Sequence, residues 1–243
     1  MQKRLSLLLV FFVFMFPGLV VPAELQAPQV LVFGGTGRLG SDIVRALVRD
    51  GHSVTVFARP SSDRVRLEGL PIAYVDGDVL DGQSVEDALA AQSYSVVIDA
   101  LGRGSEGVEF YRISAENIAA AAAKSGVQQI VLHGSVGAGD SRNAYSNIDR
   151  FGRMQRLMDA KTAGENAVIA SGVDYTIIRN SRLLRYGTKP SGHAGLYEDH
   201  RLTGSVTRAG LARLTAGCVL NADCFGKIYH AVDKSLSKTK MTN

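Results

Sequence analysis

The chain of 243 residues has only two cysteines, Cys218 and Cys224. Two thiols six positions apart supply neither the four ligands of a structural zinc site nor a Cys-x-x-Cys redox pair, so no metal is expected. In an oxidising compartment they could close a small disulfide between the end of a helix and the loop before the last strand; the alternative is a pair of buried thiols. Also missing is any Lys/Arg run of the kind that binds nucleic acid. The net charge of +4 falls to +2 once Lys3 and Arg4 are set aside, leaving 25 basic against 23 acidic residues. Basic residues this scattered exclude a polyanion as the expected partner. Nor does any linker, repeat or low-complexity segment divide the chain, and one domain over residues 24–243 is the economical reading.

Residues 1–23 are different material. Lys3 and Arg4 precede an apolar stretch from Leu5 to Phe16 broken only by Ser6, followed by Pro17-Gly18 and then Val21-Pro22-Ala23. This is the pattern of a secretory signal peptide cleaved after Ala23. The alternative is an uncleaved anchor, because the apolar character continues through Val21 and reaches about the minimum length of a membrane span. Positive residues ahead of the apolar run place the folded domain outside the cytoplasm, periplasmic or otherwise extracytoplasmic. A true start at Met15 would shorten the leader and keep the protein cytosolic. A membrane is a partner only if the leader stays uncleaved.

After the leader, strand and helix alternate. Short apolar or β-branched runs predict strands at Val30–Phe33, Ser53–Phe57, Ile72–Val75, Ser95–Ala100, Gln129–His133 and Asp174–Ile178, with a last one near Lys227–Val232. Helices are expected at Asp42–Asp50, Gly107–Ser125, Arg153–Ser171 and Thr207–Leu220. This alternation implies an α/β fold with a single doubly wound parallel sheet, a Rossmann fold, binding ligands at the carboxyl ends of its strands. The segment Ser181–Ser205, rich in Gly, Tyr and polar residues, breaks the rhythm. It is expected to be an irregular insert, either shaping a substrate pocket or forming a surface loop.

The first strand runs into Gly34-Gly35-Thr36-Gly37-Arg38-Leu39-Gly40. Gly34, Gly37 and Gly40 leave no Cβ where a pyrophosphate approaches and where helix packs on strand, and the following helix turns its free N–H groups toward that anion. A dinucleotide site is therefore expected, with Thr36, Arg38 and Leu39 in the turn. NAD-binding chains usually carry a carboxylate at the end of the second strand; here stand Phe57-Ala58-Arg59. Arg59, with Ser61 and Arg38 or Arg64, offers positive charge for a 2′-phosphate, which favours NADP over NAD. Asp78 and Val79 after the third strand are placed to meet the adenine, and Ala100-Leu101-Gly102 after the fourth leaves room for ribose and pyrophosphate.

Together with His133-Gly134-Ser135, Ala160-Lys161-x-x-x-Glu165, Ser171-Gly172-Val173-Asp174-Tyr175-Thr176-Ile177-Ile178-Arg179 and Thr207-Arg208-Ala209-x-Leu211-Ala212, these landmarks resemble the atypical short-chain dehydrogenase/reductases of the NmrA-like, NAD(P)-binding group. The resemblance covers essentially all of the chain after the leader. It implies an oxidoreductase with a Ser and a Tyr-x-x-x-Lys pair, the lysine both lowering the phenol's pKa and holding the nicotinamide ribose. Ser135 and Lys161 match, but the position four before Lys161 is Leu157, which cannot transfer a proton. Tyr145 is the leading substitute, with His133, Tyr186 and Tyr197 as further candidates. Flavin or quinone reduction would need no such group, because the acceptor can take its proton from water. The alternative is a dinucleotide-binding sensor or assembly protein without turnover, so the partner is a small-molecule substrate or a protein. The group's Arg-Pro-Gly after the sixth strand is here Arg179-Asn180-Ser181.

Overall fold

The computed structural model describes residues 27–102, 104, 106–144 and 152–236. Its strands are β1 (Gln29–Phe33), β2 (Ser53–Ala58), β3 (Ala73–Asp76), β4 (Val96–Asp99), β5 (Gln129–Ser135), β6 (Asp174–Asn180), β7 (Arg182–Leu183), β8 (Ala194–Tyr197), β9 (Ser205–Val206) and β10 (Lys227–Asp233). The helices are α1 (Arg38–Arg49), α2 (Gly82–Ala90), α3 (Phe110–Lys124), α4 (Gly152–Ala170) and α5 (Arg208–Gly217). The main sheet runs β3-β2-β1-β4-β5-β6-β10-β8. All its pairings are parallel except that of β8 with β10. The chain winds outward from β1 to β3, returns to β4 and winds the other way, so the topological switch point lies between β1 and β4.

Why the strands read as unbroken apolar runs is visible in β1. Val30 and Val32 join one core cluster with Ile43, Leu47 and Leu211 from α1 and α5, while Leu31 and Phe33 join another with Val85, Ile118 and Val168 from α2, α3 and α4. Both faces are covered, so neither parity can be polar.

One boundary is corrected and two regions gain detail. First, α1 begins at Arg38, not Asp42, capped by Gly37 in an extended conformation, so Gly40 lies inside the helix. Second, α2 fills the connection between β3 and β4, with Asp81 accepting from the Gln83 N–H as its N-cap. Third, Ser181–Ser205 is irregular over most of its length but carries short strands. It contributes β7, which pairs with β9, and β8, which closes the sheet edge against β10. The leader and Tyr145 lie outside the described residues.

Cys218 and Cys224 form a disulfide, with Cα atoms 5.6 Å apart. The loop between them is also held by buried polar groups. Gln129 Nε2 donates to the Cys218 carbonyl at 2.8 Å, its Oε1 accepts from the Leu220 N–H at 2.7 Å, and Thr176 Oγ1 donates to the Cys224 carbonyl at 2.8 Å.

Candidate active site

A cleft of about 780 Å³ opens at the carboxyl ends of the strands, across the switch point. The turn after β1 forms its floor. Gly34 has φ +77°, and a Cβ there would lie 2.8 Å from the Ala100 carbonyl oxygen; a Cβ on Gly40 would lie 2.1 Å from the Gly34 carbonyl oxygen. Glycine is therefore required twice, once to let β1 run close beside the end of β4 and once to seat the first turn of α1 on the strand. Gly37 donates its N–H to the Gly34 carbonyl at 2.9 Å, closing the turn.

Most of the expected cofactor residues line this cleft: Gly34, Thr36, Gly37, Arg38, Leu39, Arg59, Asp78, Val79, Ala100, Leu101, Gly102 and Lys161. Gly40 does not, because its place is under the helix. Arg64 is withdrawn from the expected 2′-phosphate group: it pairs with Asp76 and lies over the Tyr74 ring, 4.3 Å from its centroid. Ser62, rather than Ser61, reaches the cleft. Arg59 pairs with Glu106 at 3.5 Å, both side chains well exposed. Such a pair contributes little and leaves the guanidinium available to an incoming phosphate. Asp78 already accepts from the Leu80 N–H at 3.0 Å, which fixes its carboxylate beside Val79.

The opposite end of the cleft carries Ser135, Lys161, His133, Asn180 and Tyr111. Ser135 Oγ donates to the Val136 carbonyl at 3.2 Å. Lys161 Nζ sits 3.7 Å from the centroid of the Tyr111 ring, a cation–π contact. Burial lowers its ammonium to about 8, opposed by the charges of Asp99 and Glu165. Asp99 is itself raised to about 6 by burial, against its hydrogen bond from Leu101 and the charge of Lys161. His133 is lowered to about 4 by burial despite its bond to Asn180; Nδ1 meets Asn180 Oδ1 at 3.0 Å and Nε2 meets Thr215 Oγ1 at 3.1 Å. Burial thus favours the neutral imidazole at neutral pH.

Leu157 is not among the cleft residues; it packs beside Ala138 and Met158. Tyr186 and Tyr197 also lie away from the cleft lining. Tyr111 is the residue that sequence reasoning missed. It stands on α3, 50 positions before Lys161, and no local pattern joins the two.

Other motif residues proved architectural. Arg179 and Glu165 form a fully buried ion pair, Nη2 to Oε2 2.8 Å, and Arg179 also binds Asp140 at 2.5 Å. A Cβ on Gly134 would lie 2.6 Å from Glu165 Oε1, and one on Gly139 would lie 2.2 Å from Arg179 Nη2. The glycine of His133-Gly134-Ser135 makes room for the ion pair that ties α4 to β6.

The residues present fit a dinucleotide: a glycine turn with no room for side chains, small residues after β4, and cations at both ends. Comparison with known proteins points the same way. A family model described as NAD(P)H-binding matches residues 34–222. A sterol demethylase protein B of Methylococcus capsulatus is 28% identical over 167 residues, covering 63% of this chain and 51% of the relative. A photosystem II assembly factor of Synechocystis is 28% identical over 155 residues, covering 62% and 44%. The chain thus spans about half the length of these curated relatives. An anaerobillin reductase from Escherichia coli superposes with a TM-score of 0.75 at 22% identity, over 86% of this chain and 98% of that one, a likeness of fold. With the glycine turn, the switch-point cleft and the matched residues 34–222 together, the chain belongs to the NAD(P)H-binding Rossmann family, in its atypical short-chain dehydrogenase/reductase group.

Proposed function

We propose that the protein is an NADP-dependent oxidoreductase with a non-standard proton donor. The observation that carries this is the pairing of a cation-bearing adenosine end, Arg59 with Arg38, with a nicotinamide end where Ser135, Lys161 and Tyr111 share one cleft wall. A bound reduced nicotinamide supplies hydride. Ser135 stands where it can polarise an acceptor oxygen. Lys161, brought to about 8, can hold or release a proton near neutrality, and Tyr111 beside it supplies the phenol that Leu157 does not. Tyr145 remains a second phenol to test.

The test is NADPH oxidation by the purified chain, without its leader, against quinone, flavin and carbonyl acceptors. Turnover is expected to fall at least about tenfold in Lys161→Met and in Tyr111→Phe if they handle the proton, while Tyr145→Phe leaves it in place. If Lys161 donates, kcat/KM declines above about pH 8, where the lysine has lost its proton. NADPH binding with no oxidation of any acceptor would sink the enzyme reading. That result would favour the second one, a dinucleotide-binding sensor or assembly protein, which Leu157 motivates and which an assembly factor among the relatives supports.

We also propose export, with cleavage after Ala23. The disulfide suits an oxidising compartment. N-terminal sequencing of the native protein is expected to begin at Glu24; a start at Met15 would place it in the cytosol instead.

A further inference from the structure

Besides Arg38, which the dinucleotide reading already uses, the cleft holds a second arginine at the start of a helix. Arg38 opens α1 and Arg208 opens α5, and both line the cleft. Among the described residues neither guanidinium has a carboxylate within 4.0 Å. Arg208 is positioned, not loose: Nη1 donates to the Leu184 carbonyl at 2.5 Å. Burial and then the charge of Arg38 hold it below the ordinary arginine range, with Asp42 opposing. With Arg38 assigned to the cofactor, Arg208 is left as a cation lining the cleft that an anion would complete.

The two-stranded ribbon of β7 and β9 brings further groups toward Arg208. It pairs Arg182 with Ser205 and Leu183 with Val206, so that the residues leaving β6 and those leading into α5 meet in one ribbon. Ser181 is 5% exposed and lines the cleft, yet its hydroxyl has no hydrogen-bond partner among the described residues. A buried, unpaired hydroxyl in a binding cleft is an unfilled contact. Beside it, Asn180 gives Oδ1 to His133, which leaves its amide N–H groups for a ligand. Ser181 and Asn180 lie at the carboxyl end of β6, where Asn180 pairs with Ser135 of β5, on the other side of β1 from the strands that carry Arg59 and Asp78. That is where a hydride acceptor would sit, beyond the adenosine end.

We infer that Arg208 and Ser181 form a subsite for an anionic group, carboxylate or phosphate, carried by the hydride acceptor. The protein thus selects acidic acceptors over neutral ones with the same reducible ring. This rests on the oxidoreductase reading for its setting, but binding tests it without turnover.

FMN and riboflavin share one ring and differ by a phosphate; a naphthoquinone and its sulfonate make a second pair. With protein saturated with NADP⁺, flavin fluorescence gives the two dissociation constants, and NADPH oxidation gives kcat/KM for all four. Expected is tighter binding of FMN than of riboflavin, with the preference reduced about tenfold or more in Arg208→Gln and partly kept in Arg208→Lys. Ser181→Ala should weaken FMN by a smaller factor. An NADPH dissociation constant within about twofold of wild type shows that the variants are folded and that the anion is not the cofactor's own phosphate. Equal affinity for the members of each pair, no binding included, overturns the subsite. So does loss of NADPH affinity in Arg208→Gln with the acceptor preference intact. FMN preference that depends on Arg208 without any oxidation keeps the subsite and removes the reductase.

Discussion

His133 shows how burial alone fixes a side chain's role. Desolvation takes its imidazole down to about 4, from 6.5, so the folded protein holds it neutral. A group depressed in this way contributes stability that is complete above about pH 6.5 and is lost as pH falls toward 4. The full swing is about 3 kcal/mol. Asp99, raised to about 6, works in the opposite sense, its neutral form gaining as the pH drops below 6. The difference in unfolding free energy between wild type and His133→Gln isolates the histidine. It is expected to narrow by about 3 kcal/mol between about pH 7 and about pH 4, measured by urea denaturation. A difference that does not change with pH would mean that the imidazole protonates freely in the fold.

Among the elements, α4 and β6 are joined by the Arg179–Glu165 pair rather than by apolar surface alone. Glu165→Ala leaves a buried guanidinium without its main partner and should cost about 3–5 kcal/mol. Glu165→Gln keeps part of the hydrogen bonding and should cost less; equal losses would show that packing, not charge, is at stake. The disulfide ties the end of α5 to the start of β10. Closing so short a loop contributes about 2 kcal/mol by the chain-entropy account, so reductant should lower the unfolding free energy by about that amount, read as a lower urea midpoint.

Legibility in the sequence followed the same division. Strands covered on both faces announce themselves as apolar runs, which is why β1, β5 and β6 were readable. In β8, Ala-Gly-Leu-Tyr is half-buried along its length, and its pairing with β10 has no local signature. The glycine turn, Arg59 and Asp78 were readable because each sits at a fixed distance from a strand end. The contact of Tyr111 with Lys161 depends on how α3 packs against α4, and the buried partner of Arg179 depends on α4 meeting β6. Neither spacing nor composition encodes those meetings.

At the scale of the molecule, cofactor binding and folding are one equilibrium. The cleft spans both halves of the sheet, so a dinucleotide that binds only the folded chain stabilises it as a whole. At about 100 times its dissociation constant, NADPH should add about 2.7 kcal/mol and raise Tm by roughly 5–10 °C. NADH at the same concentration should raise it less, because Arg59 and Arg38 then have no 2′-phosphate to meet; equal shifts would end the preference for NADP.

The loop closed by Cys218 and Cys224 has a consequence for where and when the protein can fold. Gln129 and Thr176 hold both of its ends through main-chain carbonyls, and these bonds do not involve sulfur. A chain made in a reducing environment would reach the same loop with two thiols already side by side, and oxidation would lock it afterwards. The crosslink would thus record the compartment through which the protein passed, while its shape is written in the polar groups beneath.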